Sequence, residues 1–112
     1  MPQAKNDLFD EDLQELAQLY KALAHPARLQ ILKFLASRDA CFCGDITEVV
    51  PLGRTTVNQH LTELKKAGLI QGTTRGAKTN YCLNQQGVDK LNTHGLSFCN
   101  SLQSKSCESS NC

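Results

Sequence analysis

The order of breaks between residues 45 and 83 constrains this chain more than any other feature. Ile46, Val49 and Val50 recur at helical spacing in a short run from about Asp45 to Val50. Pro51 ends that run, because a proline pushes the residue before it out of helical geometry. After the tight turn Pro51-Leu52-Gly53, a longer helix is predicted from Arg54 to Ala67, with Val57, Leu61 and Leu64 toward a core and Gly68 just past its end. At 1.5 Å per residue it is about 20 Å long, enough to lie in a DNA major groove. Two β-prone runs follow, Leu69 to Thr74 and Thr79 to Leu83, around a basic tip made by Arg75 and Lys78. Helix, tight turn, helix and basic hairpin, in that order, give a winged helix-turn-helix, a mainly α fold with a small β-hairpin.

The second helix of this unit carries the chemistry expected of a reading head. At 100° per residue, the side opposite Val57, Leu61 and Leu64 holds Thr55, Asn58, Gln59 and Thr62. Amide side chains bond two atoms of an adenine edge, threonine meets a thymine methyl, and Arg54 in the first turn reaches phosphate or guanine. An ordinary solvated face mixes Glu and Lys, whereas this one is uncharged and bracketed by cations. His60 lies at the edge of the core stripe and is expected to pack or bond locally; His25 reads as a turn residue before Pro26, and His94 as solvent-facing.

The remaining segments fit around that unit. A first helix starting near Asp10 places Leu13, Leu16, Ala17, Tyr20, Leu23 and Ala24 on one stripe. A second, opened by Pro26, carries Leu29, Ile31, Leu32, Phe34 and Leu35 and reads as the central core helix. Asn84 can cap a last helix, in which Val88, Leu91, Gly95, Phe98 and Leu102 form a narrow seam suited to a partner helix. Residues 1–102 are thus read as one DNA-binding and dimerisation domain, and 103–112 as a flexible tail rich in Cys and Ser. At 112 residues a second domain is not expected. No stretch approaches the roughly 18 apolar residues of a membrane span, so no membrane partner is expected. The acidic N-terminus does not resemble a signal peptide, so a reducing cytoplasm is the expected location.

Net charge is only +1, but its distribution is uneven. Residues 1–20 set Asp7, Asp10, Glu11, Asp12 and Glu15 against Lys5, whereas residues 53–78 set Arg54, Lys65, Lys66, Arg75 and Lys78 against Glu63. A polyanion would be met by the second stretch. Six cysteines in a reducing compartment point to metal ligation or redox sensing rather than structural disulfides. Cys41 and Cys43, in a polar segment with no packing reason to be cysteine, supply two soft thiolates for an ion such as arsenite, antimonite, cadmium or cuprous copper. Residues two apart diverge on a helix, so the pair can hold one ion only where the chain is extended. A third ligand is sought first at Cys107 and Cys112 on the tail, then at Cys99, and last at Cys82, which reads as a small core residue. No obligatory cofactor is implied. No cysteine sits in a phosphate-cradling loop with an acid–base partner, so an enzyme such as an arsenate reductase is not expected.

The segments ALAHPARLQILKFL, CFCGDI, PLGRTTVNQHLTELKKAGLI and GAKTNYCL together resemble the ArsR/SmtB family of repressors over about residues 14 to 100. The resemblance implies a homodimer, paired through its first and last helices, that represses transcription on double-stranded operator DNA and releases it when an inducer binds. It implies DNA contacts by Arg54, Thr55, Thr56, Asn58 and Gln59 in the recognition helix and by Arg75 and Lys78 in the wing. It also implies As(III) or another thiophilic metal ion as inducer at the Cys41-Cys43 pair, which with Cys107 and Cys112 of the tail gives the candidate ligands; the alternative is a redox or reactive-sulfur switch on the same fold. Aligned on Asp45-Ile46, the cysteine pair sits one residue earlier than the family's Cys-Val-Cys-Asp-Leu pattern, with Gly44 inserted. The family's carboxylate–histidine site on the last helix is not supported, since Asp89 and His94 lie on different faces.

Overall fold

The computed structural model describes residues 8–38, 41–44, 46–75 and 78–103. Helices α1 (Glu11–Leu23) and α2 (Pro26–Ala36) lead into strand β1 (Phe42–Cys43), a 3-10 helix (Ile46–Glu48), helix α3 (Arg54–Lys66), strands β2 (Ile70–Arg75) and β3 (Lys78–Leu83), and helix α4 (Gln85–Ser101). Ile31, Val57, Leu64 and Leu69 are fully buried where α2, α3 and the start of β2 meet, and Leu19, Ile46 and Leu61 join the same core. Among the described residues no helix is long and apolar enough to cross a membrane.

The element ends follow from local chemistry. His25 caps α2, its Nδ1 accepting the Ala27 N–H at 3.0 Å, and Pro26 fills the first helical position, where a missing N–H is harmless. At the end of α3 the chain turns through Gly68 at φ +78°, a left-handed conformation that glycine adopts without a Cβ penalty, and the Leu69 N–H closes on the Leu64 carbonyl at 3.0 Å. Asn84 caps α4 through the Gln86 N–H at 3.2 Å. Close by, the backbones of Gly87 and Gly68 press together so tightly that a Cβ on Gly87 would collide with the Gly68 carbonyl.

Three expectations are corrected. The predicted helix from Asp45 to Val50 is a 3-10 helix of three residues, Ile46–Glu48. With Pro51 to follow and β-branched residues inside it, this stretch forms no longer helix; instead the Val49 carbonyl accepts from the Gln30 amide of α2 at 2.8 Å. The single stripe expected on α1 is two faces: Leu16, Leu19 and Ala22 enter the core, whereas Leu13 and Tyr20 stay 47% and 41% exposed. Likewise α2 is not apolar all round its buried side, since Leu29 faces outward.

The fourth difference concerns the segment around Cys41-Phe42-Cys43, which does not loop freely. It lies along the hairpin as a third strand, in the order β1-β3-β2, with Phe42 opposite Tyr81 and Cys43 opposite Asn80. The Phe42 ring meets Phe34 edge-on with centroids 4.8 Å apart, and the Arg38 guanidinium lies 5.4 Å from the Phe42 ring. The Phe42 ring contacts, pairing with β3 and a bond from the adjoining Cys41 to Cys82 therefore hold β1 to the body.

Candidate nucleic-acid interface and the wing thiols

Helix α3 buries Val57, His60, Leu61 and Leu64 and leaves Arg54, Thr55, Thr56, Asn58, Gln59 and Thr62 exposed. The amide-bearing side of the helix is thus open to a ligand. Thr62 donates its hydroxyl to the Asn58 carbonyl at 2.9 Å, which leaves its methyl for contact. Gly53, the N-cap, supplies no side-chain partner for the first-turn amides, so this end of the helix dipole favours a nearby anion. Across the hairpin, Arg75 pairs with Lys78, which places both cationic residues at the end of the wing.

A polar cluster fixes the other side of α3. Arg28 donates from Nε to His60 Nδ1 at 3.0 Å, and its terminal nitrogen donates to the Lys21 and Ala22 carbonyls at 3.3 and 3.2 Å. One guanidinium therefore joins the end of α1, the start of α2 and the middle of α3. The His25 and His60 rings lie 4.2 Å apart. Burial, then the neighbouring His25 and Arg28, hold the His60 pKa below 6.5; because Nδ1 accepts from Arg28, the neutral ring carries its proton on Nε2, which is buried and has no partner among the described residues. The local roles expected of His60 and His25 are the ones observed. His94 is different: it is half-buried, with Nε2 3.6 Å from Glu15 on α1, and Lys90 is 3.4 Å from the same carboxylate.

Three of the cysteines, Cys41, Cys43 and Cys82, sit together at the root of the wing. Cys41 is bonded to Cys82 of β3, with Cα atoms 4.5 Å apart, the spacing of a non-hydrogen-bonded cross-strand pair. Cys82, ranked last from the sequence and expected to be core, is instead half-buried beside Cys41, because the added strand β1 puts the two positions opposite each other. Side chains alternate along a strand, and paired residues share a face. Phe42 and Tyr81 point to the core, so Cys41, Cys43, Cys82 and Asn80 point outward together with Gln71 and Thr73 of β2. Cys43 is an exposed free thiol on this face, and Cys99 is exposed on α4. The candidate ligands Cys107 and Cys112 lie outside the described residues. Among the described residues, no three His, Cys, Asp or Glu side chains already surround one point. Periodicity missed the Cys41–Cys82 neighbourhood, because a strand of two residues carries no period to detect.

The profile of a helix-turn-helix domain family matches residues 23–73. The arsenical resistance operon repressor of Bacillus subtilis is 35% identical over 92 residues, covering 81% of this chain and 83% of that protein. Among solved structures, a possible transcriptional regulator for arsenical resistance is 27% identical with a TM-score of 0.60, covering 70% of this chain and 80% of its own. The homodimeric winged helix-turn-helix DNA-binding domain of Mb0332 from Mycobacterium bovis, a possible ArsR-family regulator, is 27% identical with a TM-score of 0.55, covering 80% of each chain. With the recognition helix open, the wing in place and relatives of this closeness, the chain belongs to the ArsR-type family of winged helix-turn-helix transcriptional repressors.

Proposed function

We propose that this repressor works as a dimer that reads operator DNA with Arg54, Thr55, Thr56, Asn58 and Gln59 of α3, contacts flanking phosphates with Arg75 and Lys78, and lets go when its thiols react. The observation that carries the DNA reading is the exposed, uncharged amide face of a helix whose opposite side is fully packed. Dimerisation through α1 and α4 is supported by Leu13, Tyr20 and Leu96, exposed on those two helices, by Leu102, exposed just past the end of α4, and by the homodimeric Mycobacterium bovis neighbour. The inducer is arsenite or another thiophilic ion bound by cysteine thiolates, Cys41 and Cys43 first among them. The Bacillus subtilis relative, an arsenical resistance operon repressor, supports arsenite.

A second reading, a redox or reactive-sulfur switch, is favoured by one specific observation, the bond between Cys41 and Cys82. The two are separated by measuring operator affinity, by fluorescence anisotropy, for the reduced protein with and without arsenite and for the oxidised protein. The metalloid reading expects release by arsenite from the reduced wild type and none from Cys43→Ser. Retention under arsenite, with release on oxidation alone, would replace it with the redox reading. Equal release from wild type and Cys43→Ser would remove Cys43 from the switch.

A further inference from the structure

We infer that the cavity between α1, the end of α3 and the start of α4 is a binding site for a small phosphate monoester with a hydroxyl-bearing body, such as a sugar phosphate or a nucleoside monophosphate. The site uses no cysteine and none of the residues proposed to meet DNA, so it stands or falls apart from the reading above.

The cavity holds about 640 Å³, inside the range of roughly 300–1,000 Å³ in which small-molecule pockets fall. Its lining brings four cations, Lys21, Arg28, Lys66 and Lys90, together with two carboxylates, Glu15 and Glu63. Both carboxylates are already engaged: Glu15 lies 3.4 Å from Lys90 and 3.6 Å from His94, and Glu63 lies 3.9 Å from Lys66. Among the described residues neither Lys21 nor Arg28 is paired with a carboxylate. Four cations against two anions leave an excess of two positive charges on one cavity wall.

Arg28 turns that excess into a site. Its guanidinium is half-buried and fixed by the bonds from Nε to His60 Nδ1 and from Nη1 to the Lys21 and Ala22 carbonyls. All three acceptors are neutral, so they orient the charge without cancelling it. Nη2 takes part in none of these bonds. A charge withdrawn from water is ordinarily paired, and the forked N–H groups of a guanidinium match the oxygens of a phosphate. Because the protein already holds this side chain in place, a ligand does not meet the full entropic cost of ordering it. Exposed Lys21, at the end of α1, supplies the second uncompensated charge.

The charge excess selects the ligand class. A phosphate monoester carries about −1.5 to −2 near neutral pH, which matches it, whereas a single carboxylate or a phosphodiester carries one negative charge. The first turn of α4, which borders the cavity, holds no acidic residue to repel such a group. The other polar side chains of the wall, Gln18, Asn84 and Gln86, are amides, which both donate and accept as hydroxyl groups do.

The test is titration calorimetry on the reduced, DNA-free full chain with ribose 5-phosphate, glycerol 3-phosphate and adenosine 5′-monophosphate. Each is compared with its uncharged parent, ribose, glycerol or adenosine, and all with succinate. At least one ester should bind once per chain, about tenfold or more tighter than its parent and than succinate. Arg28→Lys, which keeps the charge and loses the fork, and Lys21→Ala should each weaken that binding by about tenfold. Lys21 is exposed, so its variant carries the test if Arg28→Lys fails to fold. Lys33→Ala, an exposed lysine of α2 outside the cavity, should bind as the wild type does. Binding of none of the three esters, or equal binding of ester and parent, would overturn the site. So would equal weakening by Lys33→Ala and Lys21→Ala, or binding kept in Lys21→Ala and lost in Arg54→Ala, which would move the ester to the reading face. Succinate bound as tightly as the best ester would overturn the assignment to phosphate.

Discussion

Helix α3 and strand β1 both turn chemically active side chains toward solvent, yet they are held in opposite ways. The helix sinks Val57, His60, Leu61 and Leu64 into the core and is tied to α1 and α2 by the Arg28 guanidinium. The strand has two residues, one aromatic anchor in Phe42, and a covalent link through Cys41. The contrast teaches how differently the two are anchored: α3 by a packed core face and a guanidinium bridge, β1 by one ring contact, strand pairing and the single covalent bond beside it.

The contrast can be broken most forcefully from the helix side. Leu64→Ala, at a fully buried position, should cost about 2–5 kcal/mol of folding stability by denaturant unfolding, through lost burial and a cavity. A smaller loss would mean that α3 is not the anchored element. Next, reducing the Cys41–Cys82 bond, which spans 41 residues of sequence, should cost about 2–4 kcal/mol by releasing the unfolded chain. A change in operator affinity with no change in stability would show that the bond acts on the native wing alone. Third, Asn58→Ala should weaken operator binding by about 1–3 kcal/mol while leaving the melting temperature nearly unchanged. Lys78→Ala should instead weaken binding to all sequences alike and lower the salt slope by about 0.9 if it meets one phosphate.

The smallest effect sharpens the anchoring of α3. His60 has a folded pKa below its unfolded value of 6.5, so the unfolded chain takes up protons first as pH falls. Its contribution is therefore full above about pH 6.5, declines as pH drops from there, and levels off once the folded pKa is passed. Melting curves across this window should show that decline in the wild type and a flatter profile in His60→Gln. An unchanged profile would assign the decline to other groups.

The reading helix was legible in the sequence because everything that defines it is local: a Pro-Leu-Gly turn before it, a 3.6-residue core stripe within it, and Gly68 after it. The hairpin and the Asn84 cap were legible for the same reason. What escaped was pairing between distant segments. A strand as short as Phe42–Cys43 has no period to detect, so neither its place beside β3 nor the meeting of Cys41 with Cys82 could be read from spacing. The two apolar faces of α1 merged into one stripe because periodicity reports which residues are apolar, not which neighbour covers them. His94 was misplaced likewise, its partner Glu15 lying on a helix far away in sequence.

The bare contact between Gly68 and Gly87 has a consequence for architecture. It welds the trailing end of the groove-reading helix to the root of the helix by which two chains would join, main chain against main chain, with no side chain to act as a spring. In a dimer joined through α1 and α4, the distance between the two reading heads is then geared directly to the joining helices, and a single methyl at residue 87 would wedge that gearing and carry the heads off the roughly 34 Å pitch of successive major grooves.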